Sequence, residues 1–219
     1  APGAGGNIPP VKGLQIGVVA ALAGDPAGED RIQIRLPTIT ETDGLLWARQ
    51  ALLDAGNGRS TSFRPEVGDE VVVGFLDGDP RDPVILGTLH SSAKPNPLPG
   101  ADANDEKAII TRSGMHIHWD DAQIVATIDT PAGNQIVLSE AESSILIQDQ
   151  NGNKIELSAD GIAMESAKDI KLTATGDVKI KGVNVEITAD ASFKASGSGG
   201  VEVSSSATTT VKGSLVQIN

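Results

Sequence analysis

Residues 161–187 read GIAMESAKDIKLTATGDVKIKGVNVEI, and their apolar members stand in alternating pairs: Ile162/Met164, Ile170/Leu172, Val178/Ile180 and Val185/Ile187. Alternation with a period of two marks a strand with one covered face and one wet face. The first members of the pairs fall at 162, 170 and 178, and again at 185, 193 and 201 with Phe193 in the middle, so the step is eight residues. Gly, Asp, Asn, Ser and Ala, residues that suit bends, stand between the pairs. Eight residues supply one strand and one corner, whereas a complete coil of a single-chain solenoid needs about 20 or more. The rest of each turn must come from other chains. Three copies wound about one axis meet that need, each turning its Val/Ile face inward and Lys, Asp, Glu, Ser and Thr outward. Such closure also removes the free sheet edges that a long run of isolated strands would expose to aggregation.

Upstream, the pairing continues with looser spacing at Ile136/Leu138, Ile145/Ile147 and Ile155/Leu157, and GNQIVLS at 133–139 returns as GNKIELS at 152–158. Before residue 91 the texture differs. Five short runs, LQIGVVAAL, RIQIRLP, LLWARQALL, DEVVVGFL and PVILGTL, are separated by turn chemistry such as GDPAGED, GNGRSTS and DGDPRD. Five strands in about 80 residues predict a small closed barrel of the OB type. Within the second run Ile32, Ile34 and Leu36 alternate with Arg31, Gln33 and Arg35, giving one buried and one solvated face. The expected organisation is all-β: a Gly/Pro-rich linker at 1–12, an OB-fold domain at 13–91, a second linker at 92–106, and an intertwined, triple-stranded β-helix at 107–219. Because residue 1 is Ala rather than Met, the chain is read as a fragment or a processed form.

Composition narrows the function. Aromatics make up 2% of the chain, so small and β-branched residues must do the packing that rings do in most cores. The absence of cysteine excludes disulfides and thiolate metal sites. A net charge of −12, hence −36 in a trimer, disfavours nucleic acid and anionic membrane surfaces as partners. No apolar run approaches the roughly 18 residues of a membrane span.

Candidate chemistry is sparse. His116 and His118 share a strand face about 6.6 Å apart, with Asp120 and Asp121 following, a spacing that suits metal ligation. Met115, Ile117 and Trp119 are however the natural inward set, which turns both histidines to solvent, and no metal is expected. Asp77, Asp79 and Asp82 fit a turn better than a calcium loop, and in Asp149, Asn151 and Asn153 the intervening Gly152 sits at the wrong loop position for an EF-hand. Three histidines, no cysteine, no G-x-S-x-G and no phosphate-binding loop leave no catalytic constellation, and no cofactor is expected.

PEVGDEVVVGF at 65–75, continued by GDPRDPVILG at 78–87, resembles the end of the OB domain in VgrG and phage baseplate spike proteins. TRSG at 111–114 and IHWDD at 117–121 resemble the start of that family's β-helix, and the run from Glu202 to Asn219 resembles its blunt end. The resemblance implies a homotrimeric spike of a contractile injection system that pierces a target envelope mechanically. It implies a PAAR-type tip protein at the C-terminal end, docked on Leu215, Val216, Gln217, Ile218 and Asn219. It also implies tube or baseplate hub proteins at the N-terminal side and a carried effector. Such a particle assembles in the bacterial cytoplasm and is then delivered outside; phage tail, type VI secretion and extracellular injection particle all fit. Two rivals are a trimeric tail-fibre adhesin, which would carry an aromatic terminal lobe, and a monomeric β-solenoid enzyme acting on polysaccharide, which would have a longer coil.

Overall fold

The computed structural model describes residues 10–37 and 44–218. Most of the expected first linker, and Asn219 of the expected docking set, lie outside the described residues. Five strands, β1 (Gln15–Ala21), β2 (Ile32–Arg35), β3 (Leu45–Gln50), β6 (Glu70–Phe75) and β7 (Pro83–Leu89), close a barrel in the order β1-β2-β3-β7-β6. Between them β4 (Ala55–Gly56) and β5 (Arg59–Ser60) form a small separate hairpin. All barrel pairs are antiparallel except β3 with β7, which run parallel through Arg49↔Val84 and Gln50↔Ile85. These are the five strands and the closure that the sequence predicts.

The barrel interior is filled by Val19, Ile32, Ile34, Leu36, Ala48, Val71, Val73 and Ile85, none more than 2% exposed. Each of the larger members contributes about 1.5–3 kcal/mol by leaving water. No aromatic ring is needed, because a barrel this narrow is filled by branched aliphatic chains. Gly17 is part of that fit: a Cβ there would meet Val73 Cγ2 at 3.2 Å, Leu36 Cδ2 at 3.3 Å and Val71 Cγ2 at 3.4 Å. The entry to β2 is fixed by Asp25, whose carboxylate accepts from the backbone of Ala27, Glu29 and Arg31 and from the Arg31 guanidinium at 2.7 Å. That guanidinium, with the backbone donors, holds Asp25 well below the usual carboxylate range.

A seven-stranded antiparallel sheet follows, with strands β8 (Glu106–Ile110), β9 (His116–Asp120), β10 (Val125–Asp129), β11 (Gln135–Ser139), β12 (Ser144–Gln148), β13 (Lys154–Ser158) and β14 (Gly161–Glu165) in chain order. Over 106–165, therefore, each strand pairs with its neighbours in the same chain. The turns at one end repeat every 19 residues. Thr111, Thr130 and Asp149 each accept from the glycine three positions on (Gly114, Gly133, Gly152) and donate to the carbonyl four positions on (Met115, Asn134, Asn153). All three glycines have positive φ, 78°, 96° and 86°, the left-handed conformation such a turn needs. Successive turns touch: the Gln150 backbone donates to Asn134 Oδ1 at 3.2 Å, and a Cβ on Gly114 would stand 3.3 Å from Pro131. The connector 90–105 is pinned by Lys94, which reaches Gly68 O at 2.8 Å and Asp69 at 2.9 Å, and Arg112 of the first turn meets Glu66 at 2.7 Å.

Ser166–Asn219 form a separate unit. In 166–218 no helix or strand is present among the described residues. The apolar members from Ile170 to Ile218 are each at least 50% exposed. In-chain pairing thus stops where the eight-residue step sets in.

Candidate functional site

The register of the seven-stranded sheet aligns its alternating residues into rows. One row runs Ile109, Ile117, Ile128, Ile136, Ile147, Ile155, Met164, each residue directly opposite the next. A second row on the same face runs Lys107, Trp119, Ala126, Leu138, Ile145, Leu157, Ile162. Two residues apart along every strand, these rows make one face of the sheet almost wholly apolar. Nothing in the same chain covers it: Ile128 is 48% exposed, Leu138 49%, Ile147 45%, Ile162 72% and Met164 53%. A shallow concavity of about 730 Å³ opens on this face against Trp119, Leu138, Ile145 and Leu157.

The magnitude decides what such a face means. Covering ten half-exposed large side chains at about 1 kcal/mol each releases on the order of 10 kcal/mol per chain, as much as the whole stability of a typical domain. An exposed apolar sheet of this extent marks a surface built to be covered.

The reverse face carries the charges. His116 Nδ1 lies 3.4 Å from Asp129, His118 pairs with Glu106, and Lys154 lies 3.4 Å from Glu156 and 3.3 Å from Glu165. Ile117 and Trp119 face the apolar side and the histidines the other, as the alternation requires; each histidine meets a single carboxylate. Among the described residues no group of three His, Cys, Asp or Glu side chains converges as metal ligands would. The remaining carboxylate candidates close turns. Asp79 takes the Arg81 guanidinium at 2.6 Å and its backbone N–H at 2.9 Å, which hold it at about 2. Asp149 accepts from the side chains and backbone N–H groups of Asn151 and Asn153 and is likewise held at about 2. Both carboxylates are occupied by donors within five residues, which is the work of a turn rather than of a cation site.

Of the expected docking residues, Leu215, Val216 and Ile218 are 82%, 50% and 91% exposed, and Gln217 is also exposed. Ile109 and Ile128 are the face residues that pairwise reading of the sequence passes over. Their signal is the 19-residue recurrence 109/128/147, matched by 117/136/155 on the intervening strands.

Residues 15–90 match the family described as the type VI secretion system/phage-baseplate injector OB domain, and residues 123–191 match the phage baseplate V C-terminal trimerisation domain. The second match begins just before β10 and takes in most of the apolar face. Among curated proteins the chain is 32% identical over 130 residues to the type VI secretion system spike protein VgrG4b of Pseudomonas aeruginosa, covering 49% of this chain and 16% of that one. It is 35% identical over 91 residues to VgrG5 of the same organism, covering 38% and 12%, and 26% identical over 141 residues to VgrG3 of Vibrio cholerae, covering 61% and 14%. The chain spans about a sixth or less of the length of these relatives.

Proposed function

Because the chain belongs to the injector spike family of phage baseplates and type VI secretion systems, we propose that three copies form the puncturing end of a contractile injection machine and act mechanically, without catalysis. The observation that carries this reading is the uncovered double row of Ile and Leu across β8–β14, continued by the uncovered pairs of 166–218. Threefold association covers the apolar faces of three sheets against one another and leaves the charged reverse faces in water. Beyond Glu165 each copy then supplies one strand and one corner per eight residues, so closure is shared among the chains. A shaft of this kind transmits axial load through many interchain hydrogen bonds, each worth only about 1 kcal/mol, which makes cooperative resistance along its length the relevant property. Leu215, Val216, Gln217, Ile218 and Asn219 end the chain and are proposed to seat a PAAR-type tip protein. The OB barrel, at the opposite end of the sequence, is proposed to face the hub of the tube, and any effector rides on the assembly. The particle containing it is assembled in the bacterial cytoplasm and delivered outside the cell.

Light scattering on the purified chain tests the assembly. A mass of three times 22.4 kDa that survives SDS without boiling is the expected result. A well-folded monomer overturns the reading. Deleting 215–219 should then abolish capture of a tip protein while leaving the trimer mass unchanged.

A further inference from the structure

The sequence holds two Asn-Gly pairs, Asn57-Gly58 and Asn151-Gly152, and the structure places them in opposite chemical surroundings. Asn57 and Gly58 are the two-residue turn of the β4–β5 hairpin, bounded by the Gly56↔Arg59 pair. Both are exposed, Gly58 has φ of +73°, and a Cβ on it would meet nothing within 4 Å. The Arg59 guanidinium folds back over the turn, its Cζ 2.9 Å from where a Cβ on Gly56 would lie, and its Nε is shared with Asp54 at 3.0 Å. At the other pair the Asn151 amide donates to Asp149 Oδ2 at 3.1 Å, its backbone N–H to Oδ1 at 2.8 Å, and the Gly152 N–H to the Asp149 carbonyl at 3.3 Å.

We infer that Asn57 is a site of spontaneous deamidation built into the barrel's surface hairpin, and that Asn151 is protected from the same reaction by Asp149. The Gly58 backbone nitrogen loses its proton and attacks Asn57 Cγ. The new C–N bond closes a five-membered succinimide as the Cγ–Nδ2 bond breaks and ammonia leaves with a proton. Water then opens the ring at either carbonyl, giving aspartate or isoaspartate; the balance is one water in and one ammonia out, with no redox change. Glycine offers no side chain to hinder the attack. A guanidinium at the turn favours the amide anion that is the nucleophile, whereas the Asp149 carboxylate, ionised throughout the neutral range, opposes that anion at Gly152 and restrains the leaving amide. Isoaspartate also lengthens the main chain by one methylene in a turn of two residues, which is incompatible with the Ala55↔Ser60 register.

The test is timed incubation of the full-length protein in its native assembly at mildly alkaline pH, followed by peptide mapping with mass spectrometry. Asn57 is expected to convert about tenfold or more faster than Asn151, the effect of one pKa unit in the amide anion. Asp149→Ala should bring Asn151 to the rate of Asn57, and Arg59→Gln should slow Asn57 severalfold. Asn57→Gln should abolish ammonia release from the hairpin peptide. Conversion of Asn151 as fast as Asn57 in the native protein overturns the inference, as does an Asn151 rate unmoved by Asp149→Ala.

Discussion

Replacing Ile147 by aspartate puts the apolar face to a quantitative test. Ile147 sits in the middle of the isoleucine row, opposite Ile136 on β11 and Ile155 on β13, and 45% of it is uncovered in the single chain. Covering that remainder in a trimer is worth about 1 kcal/mol per chain, or about 3 kcal/mol for three. The aspartate loses this and adds three carboxylates taken out of water without partners, at several kcal/mol each. The total penalty is on the order of 10 kcal/mol per trimer, whereas within a lone chain the side chain stays half solvated and the strand pairing is unchanged. Ile147→Asp should therefore yield a monomer whose barrel still folds, detected by light scattering, by an unboiled SDS gel, and by a denaturation midpoint that no longer depends on protein concentration. Thr127→Asp, on the charged face of β10, is the control and should stay trimeric with a midpoint within about 1 kcal/mol of the parent. An Ile147→Asp trimer of undiminished stability, or equal disruption by Thr127→Asp, would refute the assignment of the buried face.

Three further outcomes are expected. Gly17→Val forces two methyls into a site where even a Cβ is 3.2–3.4 Å from Val73, Leu36 and Val71. It should cost about 1–3 kcal/mol in thermal unfolding of the barrel. Gly133→Ala meets no steric neighbour but must hold φ at 96°, so a loss of about 1–2 kcal/mol in chemical denaturation is expected from backbone strain alone. For Asp149, whose folded pKa is depressed from 3.8 to about 2, the stabilising contribution is complete above 3.8 and is lost as pH falls through about 2. Melting temperature followed over that interval should drop for the parent and drop less for Asp149→Ala.

The barrel was legible because its signals are local. Ile32, Ile34 and Leu36 alternate with Arg31, Gln33 and Arg35, and the structure buries the first set to within 2%. Alternation assigns a side chain to a face, but it is silent about which strand lies alongside. An Ile-x-Ile run looks the same whether its neighbour is the next strand of its own chain or a strand of another copy. For that reason the in-chain pairing of β8–β14 could not be read from the apolar pairs. It is encoded in the turns: Thr-x-x-Gly or Asp-x-x-Gly at 111, 130 and 149 allows an immediate reversal, and nothing with that spacing follows Glu165. The literal return of GNQIVLS as GNKIELS, 19 residues on, was the visible trace of that rule. The β4–β5 hairpin, two residues a side, is too short for periodicity to reveal. The candidate metal and calcium motifs needed side-chain geometry to resolve, since whether Asp149 faces an ion or its own turn is settled by the donors around it.

The 19-residue hairpin unit makes the sheet behave as a ruler with fixed divisions. Adjacent strands lie about 4.8 Å apart, so adding or removing one unit changes the sheet by two strands, about 10 Å, and returns every isoleucine to the same face. An insertion of a single residue within a strand would instead turn the rest of that strand inside out. Length variation among such sheets should therefore come in steps of whole units. A longer or shorter shaft is reached by duplicating or deleting 19 residues, without redesigning a single packing contact.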